Sequence, residues 1–98
     1  MDREFLRGFV KLYTLWRAFQ GGVYGGEILE EMRELGFKLS PGTLYPTLHK
    51  LLREKDVSVS SRVIGGRRRK VYRLTPKGRR ELDEVRERLK VLVTKVFK

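Results

Sequence analysis

Between Asp56 and Thr75 the apolar spacing of this chain changes from the three-and-four rhythm of helices to strict alternation, and then changes back. Val57, Val59, Ser61 and Val63 alternate with Ser58, Ser60, Arg62 and Ile64, the pattern of a half-buried strand. Gly65-Gly66 suits a two-residue hairpin turn, and Lys70 to Leu74, with Val71 and Tyr72, supplies the return strand. One ribbon set among helical segments fixes the class: mainly α with a two-stranded β wing, an α+β chain.

Four helical stretches surround the ribbon. The first, about Arg3 to Phe19, carries two apolar stripes: Phe5, Phe9, Leu12 and Trp16 on one, and Leu6, Val10 and Tyr13 roughly 100° away. Arg3, Arg7, Lys11, Thr14 and Ala18 share the side left for solvent. So wide an apolar surface exceeds what a small core covers, so one stripe is expected inside and the other against a second subunit; a core that takes both is the alternative. Gln20 to Gly25 reads as a loop because of its clustered glycines, and it matches no nucleotide-binding glycine pattern. The second helix, about Gly26 to Leu35, packs Ile28, Leu29, Met32 and Leu35 inward and ends at Gly36; Glu27, Glu30, Glu31 and Glu34 put its acidic side away from any polyanion.

The third helix, Ser40 to about Lys55, opens with an N-cap serine whose hydroxyl accepts from the first turn, followed by Pro41, which needs no N–H. Asp56 is placed to close it in the left-handed conformation. Leu44, Leu48, Leu51 and Leu52 share one face, whereas Gly42, Thr43, Pro46, His49, Lys50 and Arg53 fall on or near the other. Pro46 points outward near the N-terminal end, either bending a surface helix or shaping a helix end for close approach to phosphate oxygens. Thr75-Pro76 repeats the cap and opens the last helix, where Leu82, Val85, Leu89, Leu92, Val93 and Val96 form a coiled-coil-like seam. The seam reads as a dimerisation element, with a helix folded back on its own domain as the alternative.

Charge narrows the function. Lys and Arg total 23 against 12 Asp and Glu in 98 residues, a net charge of +11 and a sequence pI near 10.5. That balance favours nucleic acid first and an acidic membrane surface second. Without cysteine, and with His49 as the single histidine, the chain offers no thiolate metal site, no disulfide, no histidine metal cluster and no convincing catalytic set. No cofactor is expected. No apolar run approaches the roughly 20 residues of a membrane span and no signal-peptide pattern is present, so a soluble cytoplasmic protein is the expectation. Asn is absent, Gln20 is the one glutamine and 36% of residues are charged, a bias of high-temperature proteins.

Nine basic residues and no acidic one lie between Arg62 and Arg80. Lys77, Arg79 and Arg80 sit where a helix dipole disfavours cations, which argues against a role in helix stability. Arginines on the wing would supply affinity to phosphates, while the third helix reaches base edges in the major groove. Three helices followed by a hairpin, with the third helix exposed, is the order of a winged helix-turn-helix. The motif Tyr24-Gly25-Gly26-Glu27-Ile28-Leu29, the block from Ser40 to Leu52 and the run from Gly66 to Leu82 resemble the PadR family of transcriptional regulators. Gly26 departs from the aromatic residue usual there, and Asp56-Val57 stand where a glycine and an aliphatic residue are common.

The resemblance implies a winged helix-turn-helix DNA-binding domain over 1–74 and a dimerisation helix over 75–98, forming a homodimeric repressor on a palindromic double-stranded DNA operator. By position, Ser40, Gly42, Thr43, Tyr45, Thr47 and Lys50 are expected to touch groove or phosphate, and Arg67, Arg68, Arg69 and Lys70 to be the wing contacts. The dimer interface is expected from Leu6, Val10, Tyr13, Leu82, Val85, Leu89, Leu92 and Val96. An aromatic small-molecule effector held between subunits is also implied; Trp16, Phe5, Phe9 and Tyr13 either line such a pocket or pack as ordinary core. The competing function is a non-specific architectural protein that coats DNA or RNA by charge. A membrane-surface role for the last helix fits less well, because Glu81, Asp83, Glu84 and Glu87 mix with bases on its polar side.

Overall fold

A computed structural model describes all residues 1–98. The order is α1 (Arg3–Phe19), β1 (Val23–Tyr24), α2 (Gly25–Glu34), α3 (Pro41–Arg53), β2 (Val57–Ile64), β3 (Arg67–Leu74) and α4 (Pro76–Val96). The sheet has three antiparallel strands in the order β1-β3-β2, not two. Val23 pairs with Tyr72 and Tyr24 with Val71, so the expected glycine loop contains a short strand that ties the base of the wing to the start of α2. β3 begins at Arg67, and the β2–β3 register runs from Val57 opposite Leu74 to Ile64 opposite Arg67. Gly65 (φ 60°) and Gly66 (φ 78°) close the ribbon with both central residues left-handed, as a tight hairpin needs.

The core is small: 18 of 98 residues are buried. Leu44, Leu48 and Leu51 of α3 meet Val10, Leu15 and Ala18 of α1, Ile28 and Met32 of α2, Val57, Tyr72 and Leu82. Several expectations change here. Thr14 and Ala18 lie inside, because α1 turns its Val10–Thr14–Leu15–Ala18 side to the core and leaves Phe5, Phe9 and Trp16 exposed. Val10 (0% exposed) and Leu82 (1%) are fully covered by their own chain, which removes both from the expected dimer surface. β2 is not half-buried either; only Val57 is covered, and Val59 and Val63 stand in solvent because the ribbon projects beyond the helices.

The α3–β2 junction also differs. Lys55 (φ 62°), not Asp56, takes the left-handed position, with its N–H donating to Leu52 O (3.1 Å) and the Asp56 N–H to Leu51 O (3.0 Å). Asp56 turns inward, 1% exposed, and accepts from Lys77 Nζ at 2.9 Å. Thr75 donates its N–H (3.1 Å) and its hydroxyl (3.1 Å) to the Asp56 carbonyl, and the same hydroxyl reaches Lys55 O at 2.6 Å. The Thr75 hydroxyl in turn accepts from the Gly78 N–H at 3.0 Å, capping α4. The end of the third helix and the start of the fourth are thereby clasped together.

Candidate nucleic-acid interface

The outer side of α3 is small, polar and basic, as its spacing requires. Ser40, Gly42, Tyr45, Pro46, His49, Lys50 and Arg53 are exposed, Thr43 and Thr47 half-buried. Pro46 does not break the helix, which runs unbroken from Pro41 to Arg53. The Thr47 hydroxyl donates to Thr43 O at 3.1 Å, which fixes its rotamer while leaving its lone pairs outward. Ser40 does not cap through its side chain: Thr43 and Leu44 bond its carbonyl (3.1 and 3.0 Å), and its hydroxyl lies 3.5 Å from that of Thr43. Polar groups of the first turn of α3 therefore remain available to an outside acceptor.

The basic run divides into cations held by the chain and cations left free. Arg68 donates to Ser61 Oγ (3.2 Å), Arg69 to Ile64 O (3.3 Å) while stacking over the Tyr24 ring at 4.4 Å, and Arg73 to Gly21 O (2.9 Å). Lys77 is bound to Asp56, which holds its ammonium pKa above the usual value; Arg79 pairs with Asp83 (3.0 Å) and lies over the Phe19 ring at 4.3 Å. The expectation that Lys77 and Arg79 do not serve the stability of the helix is thus corrected: Lys77 ties the start of α4 to Asp56, and Arg79 pairs along α4 with Asp83 and packs on Phe19 of α1. Arg62, Arg67, Lys70 and Arg80 are exposed without an intramolecular partner.

Two groups of neighbours were not legible as site residues. Arg7 and Lys11 of α1 border, with Pro46, Thr47, Lys50 and Arg53, a groove of about 390 Å³ along the exposed side of α3. Their shared face, four residues apart and free of acid, was the available signal. Tyr24, Gly25, Gly26 and Tyr72 meet Tyr45 and His49 in a second cleft, between α2, α3 and the wing. The acidic side of α2 is partly neutralised: Arg17 grips Glu31 (2.7 and 3.0 Å) and reaches Glu27 (3.4 Å). That grip lowers the Glu31 pKa, and burial together with a 2.5 Å hydrogen bond to Glu31 pushes the Tyr13 phenol up to about 12.

The expected dimer surface divides in two. Leu6 and Tyr13 are half-buried against the core, Tyr13 further held by Glu31, and Val85 is half-buried outside it. Leu89, Leu92, Val93 and Val96 are exposed along the far half of α4, and Phe5 and Phe9 are exposed on α1; Phe5, Phe9 and Val85 line one shallow hollow. Phe9, Tyr13 and Trp16 gather with Phe37 around an all-apolar hollow of about 190 Å³. No helix is long and apolar enough to cross a membrane.

Residues 12–84 match the family model described as "Transcriptional regulator PadR-like family". A transcriptional regulator of Mycobacterium tuberculosis, Rv3488, is 44% identical over 95 residues, covering 97% of this chain and 89% of that protein. Among solved structures, a PadR-like transcriptional regulator from Bacillus cereus superposes with a TM-score of 0.85 at 29% identity, covering 95% of this chain and 92% of the other. A Streptococcus transcriptional regulator gives a TM-score of 0.84 at 29% identity, with 94% and 92% covered.

Proposed function

The chain belongs to the PadR-like family of transcriptional regulators, and from that premise we propose that it is a homodimeric repressor that reads a palindromic duplex operator. The reading rests on one observation above all: the polar side of α3 is exposed and flanked by unpaired cations on both sides, Arg7 and Lys11 from α1 and Lys70 from the wing. An exposed helix of this kind fits the major groove, where Thr43, Thr47 and Lys50 would meet base edges. Ser40, Gly42 and Tyr45 would meet groove or backbone, and Arg67, Arg68, Arg69 and Lys70 the phosphates beside it. The exposed apolar side chains of α4 and the free stripe of α1 support a second copy as partner, since a core this small leaves them uncovered. In that assembly the hollow beside Phe9, Trp16 and Phe37 would suit a single-ring aromatic effector, being smaller than the roughly 300–1,000 Å³ of ordinary ligand pockets.

Selection of bound sites from random duplex DNA tests the reading. The expected result is a two-fold symmetric consensus whose half-site centres lie about 34–36 Å apart, one turn of duplex. Neutralising Arg67, Arg68 and Arg69 should weaken binding to every duplex and flatten its salt dependence, whereas Thr47→Ala should change the preferred sequence. A pool without any preferred site at about 0.2 M salt, where charge-driven binding fades, would instead identify a non-specific coat.

A further inference from the structure

The wing has an open edge. In the sheet order β1-β3-β2, β2 has β3 on one side and no strand on the other, and no backbone hydrogen bond reaches Ser58 to Ile64 from any other element. Such an edge is a template for a further strand, and folded proteins ordinarily blunt it with proline, a bulge or several charges. β2 has none of these devices. Its register against β3 runs one to one from Val57–Leu74 to Ile64–Arg67, it contains no proline, and Arg62 is its one charged residue. Six consecutive residues, Ser58 to Val63, stand in solvent.

The hairpin determines which backbone groups face outward. Gly65 and Gly66 form a two-residue turn, so Ile64 and Arg67 bond each other across it and the ladder alternates from there. Arg62, Ser60 and Ser58 direct their N–H and C=O groups to β3, whereas Val63, Ser61 and Val59 hold theirs toward the open edge. These three also share one face of the ribbon, and their side chains read valine, serine, valine in either direction. Val59 is 39% exposed and Val63 63%, both left uncovered by the chain. Ser61 is the midpoint of this triplet and of the whole stretch from Ser58 to Ile64. Its hydroxyl is within 3.2 Å of Arg68 Nη1, which leaves its outward backbone groups free.

We propose that the open edge of β2 docks on the same edge of another copy, antiparallel and centred on Ser61, so that copies join wing to wing. A two-fold contact uses the same residues on both sides, and this register suits it. Val59 meets Val63 of the other copy twice, Ser61 meets Ser61, and Arg62 faces Ser60. Centred on Arg62, the pairing would oppose two guanidinium groups; centred on Ser60, it would set each Val59 against a serine. The contact is separate from α4 and from the outer side of α3. It therefore goes beyond the homodimer described above: dimers on neighbouring sites of one duplex would be joined through their wings. Each β3 brings Arg67, Arg68, Arg69 and Lys70 to the junction, so like charge opposes the docking. Salt should strengthen it, the reverse of its effect on duplex binding.

Sedimentation of the full chain at rising protein concentration is the test. The expected result is a step from dimer to larger species that strengthens with salt. Ser61→Pro removes the two N–H donors at the axis and leaves the ladder to β3 intact, so that step should weaken about tenfold or more. Val59→Lys and Val63→Glu should each weaken it, and the two together should restore it, because lysine then faces glutamate twice across the axis. Leu89→Glu, aimed at the α4 contact, should keep a salt-strengthened association in concentrated solution. A second arm rests on the duplex-binding reading: on a duplex with two selected sites, Ser61→Pro should match the wild type at one site and lose cooperative filling of both. A wild type of one mass at every concentration would overturn the docking, whether or not it binds DNA. Association that Leu89→Glu abolishes and Ser61→Pro leaves untouched belongs to α4, and would overturn it as well. Cooperative filling that persists in Ser61→Pro would refute the joining of dimers on DNA.

Discussion

Gly78→Ala is the sharpest test of the clasp between the third and fourth helices. A Cβ at residue 78 would stand 2.0 Å from the Asp56 carbonyl oxygen and 2.8 Å from Leu74 Cδ1, and the first of these contacts is with backbone that has no rotamer to change. The first turn of α4 must then move away from Asp56 by more than 1 Å, which separates Thr75 from the carbonyl it binds twice. Two lost hydrogen bonds cost about 2 kcal/mol together, and overpacking adds about 1–3 kcal/mol. The better helix propensity of alanine returns about 1 kcal/mol. The net loss is about 2–4 kcal/mol, before any contribution from parting Lys77 and Asp56. With a urea m-value of about 1.5 kcal/mol/M the denaturation midpoint should fall by roughly 1.3–2.7 M, compared at one protein concentration. Gly8→Ala is the control: its Cβ meets nothing within 4 Å, so the exposed helix interior should gain about 0.5–1 kcal/mol. If the two variants unfold at the same midpoint, the close approach of α4 to Asp56 is not as described.

Thr14→Val should stabilise by about 1 kcal/mol in urea unfolding, because the Thr14 hydroxyl is fully buried and has no partner; a loss of that size would show that the hydroxyl is satisfied in solution. The Glu31 pKa is lowered by Arg17, so its contribution to stability is present above the ordinary carboxylate pKa of about 4.3 and disappears as pH falls through the folded value. Glu31→Gln should flatten that acid limb. On the alkaline side, Tyr13 with its pKa pushed up to about 12 gives stability that holds below the ordinary tyrosine value of about 10 and is lost between there and 12. Denaturant midpoints measured across both limbs would expose an error in either sign. Glutamate at Leu89 or Leu92 should yield monomers with much weaker operator binding, and sedimentation that finds unchanged dimers would remove α4 from the interface.

How much of this was legible in the sequence depended on the length of each pattern. The Leu44–Leu48–Leu51 face persists for two turns and located α3 and its outer side without ambiguity, and Gly65-Gly66 placed the hairpin turn. Val23–Tyr24 is too short for any period to register; its strand exists because Tyr72 and Val71 pair with it from far along the chain. Thr14 and Ala18 looked like surface because small and polar residues carry weak apolar signal, yet their size is what lets α1 approach the core. Val10 and Leu82 were assigned to a second subunit for the opposite reason: apolar spacing reveals a buried face but not which molecule buries it. At the interface, the α3 residues and the wing arginines were readable from charge and order. Lys77 was misread because its partner, Asp56, comes from another element, and Arg79 because its ring partner, Phe19, lies on α1, although its i,i+4 partner Asp83 was in plain view on the same helix.

The clasp at Asp56 has a mechanical consequence. From that fixed point α4 extends for 21 residues, about 31 Å at 1.5 Å per residue. A rotation of only 5° at its base would carry the far end through nearly 3 Å, about half the pitch of the helix. The clasp is therefore the fulcrum of a long lever, and Asp56, Thr75 and Lys77 set the gearing between α3 and the far end of α4.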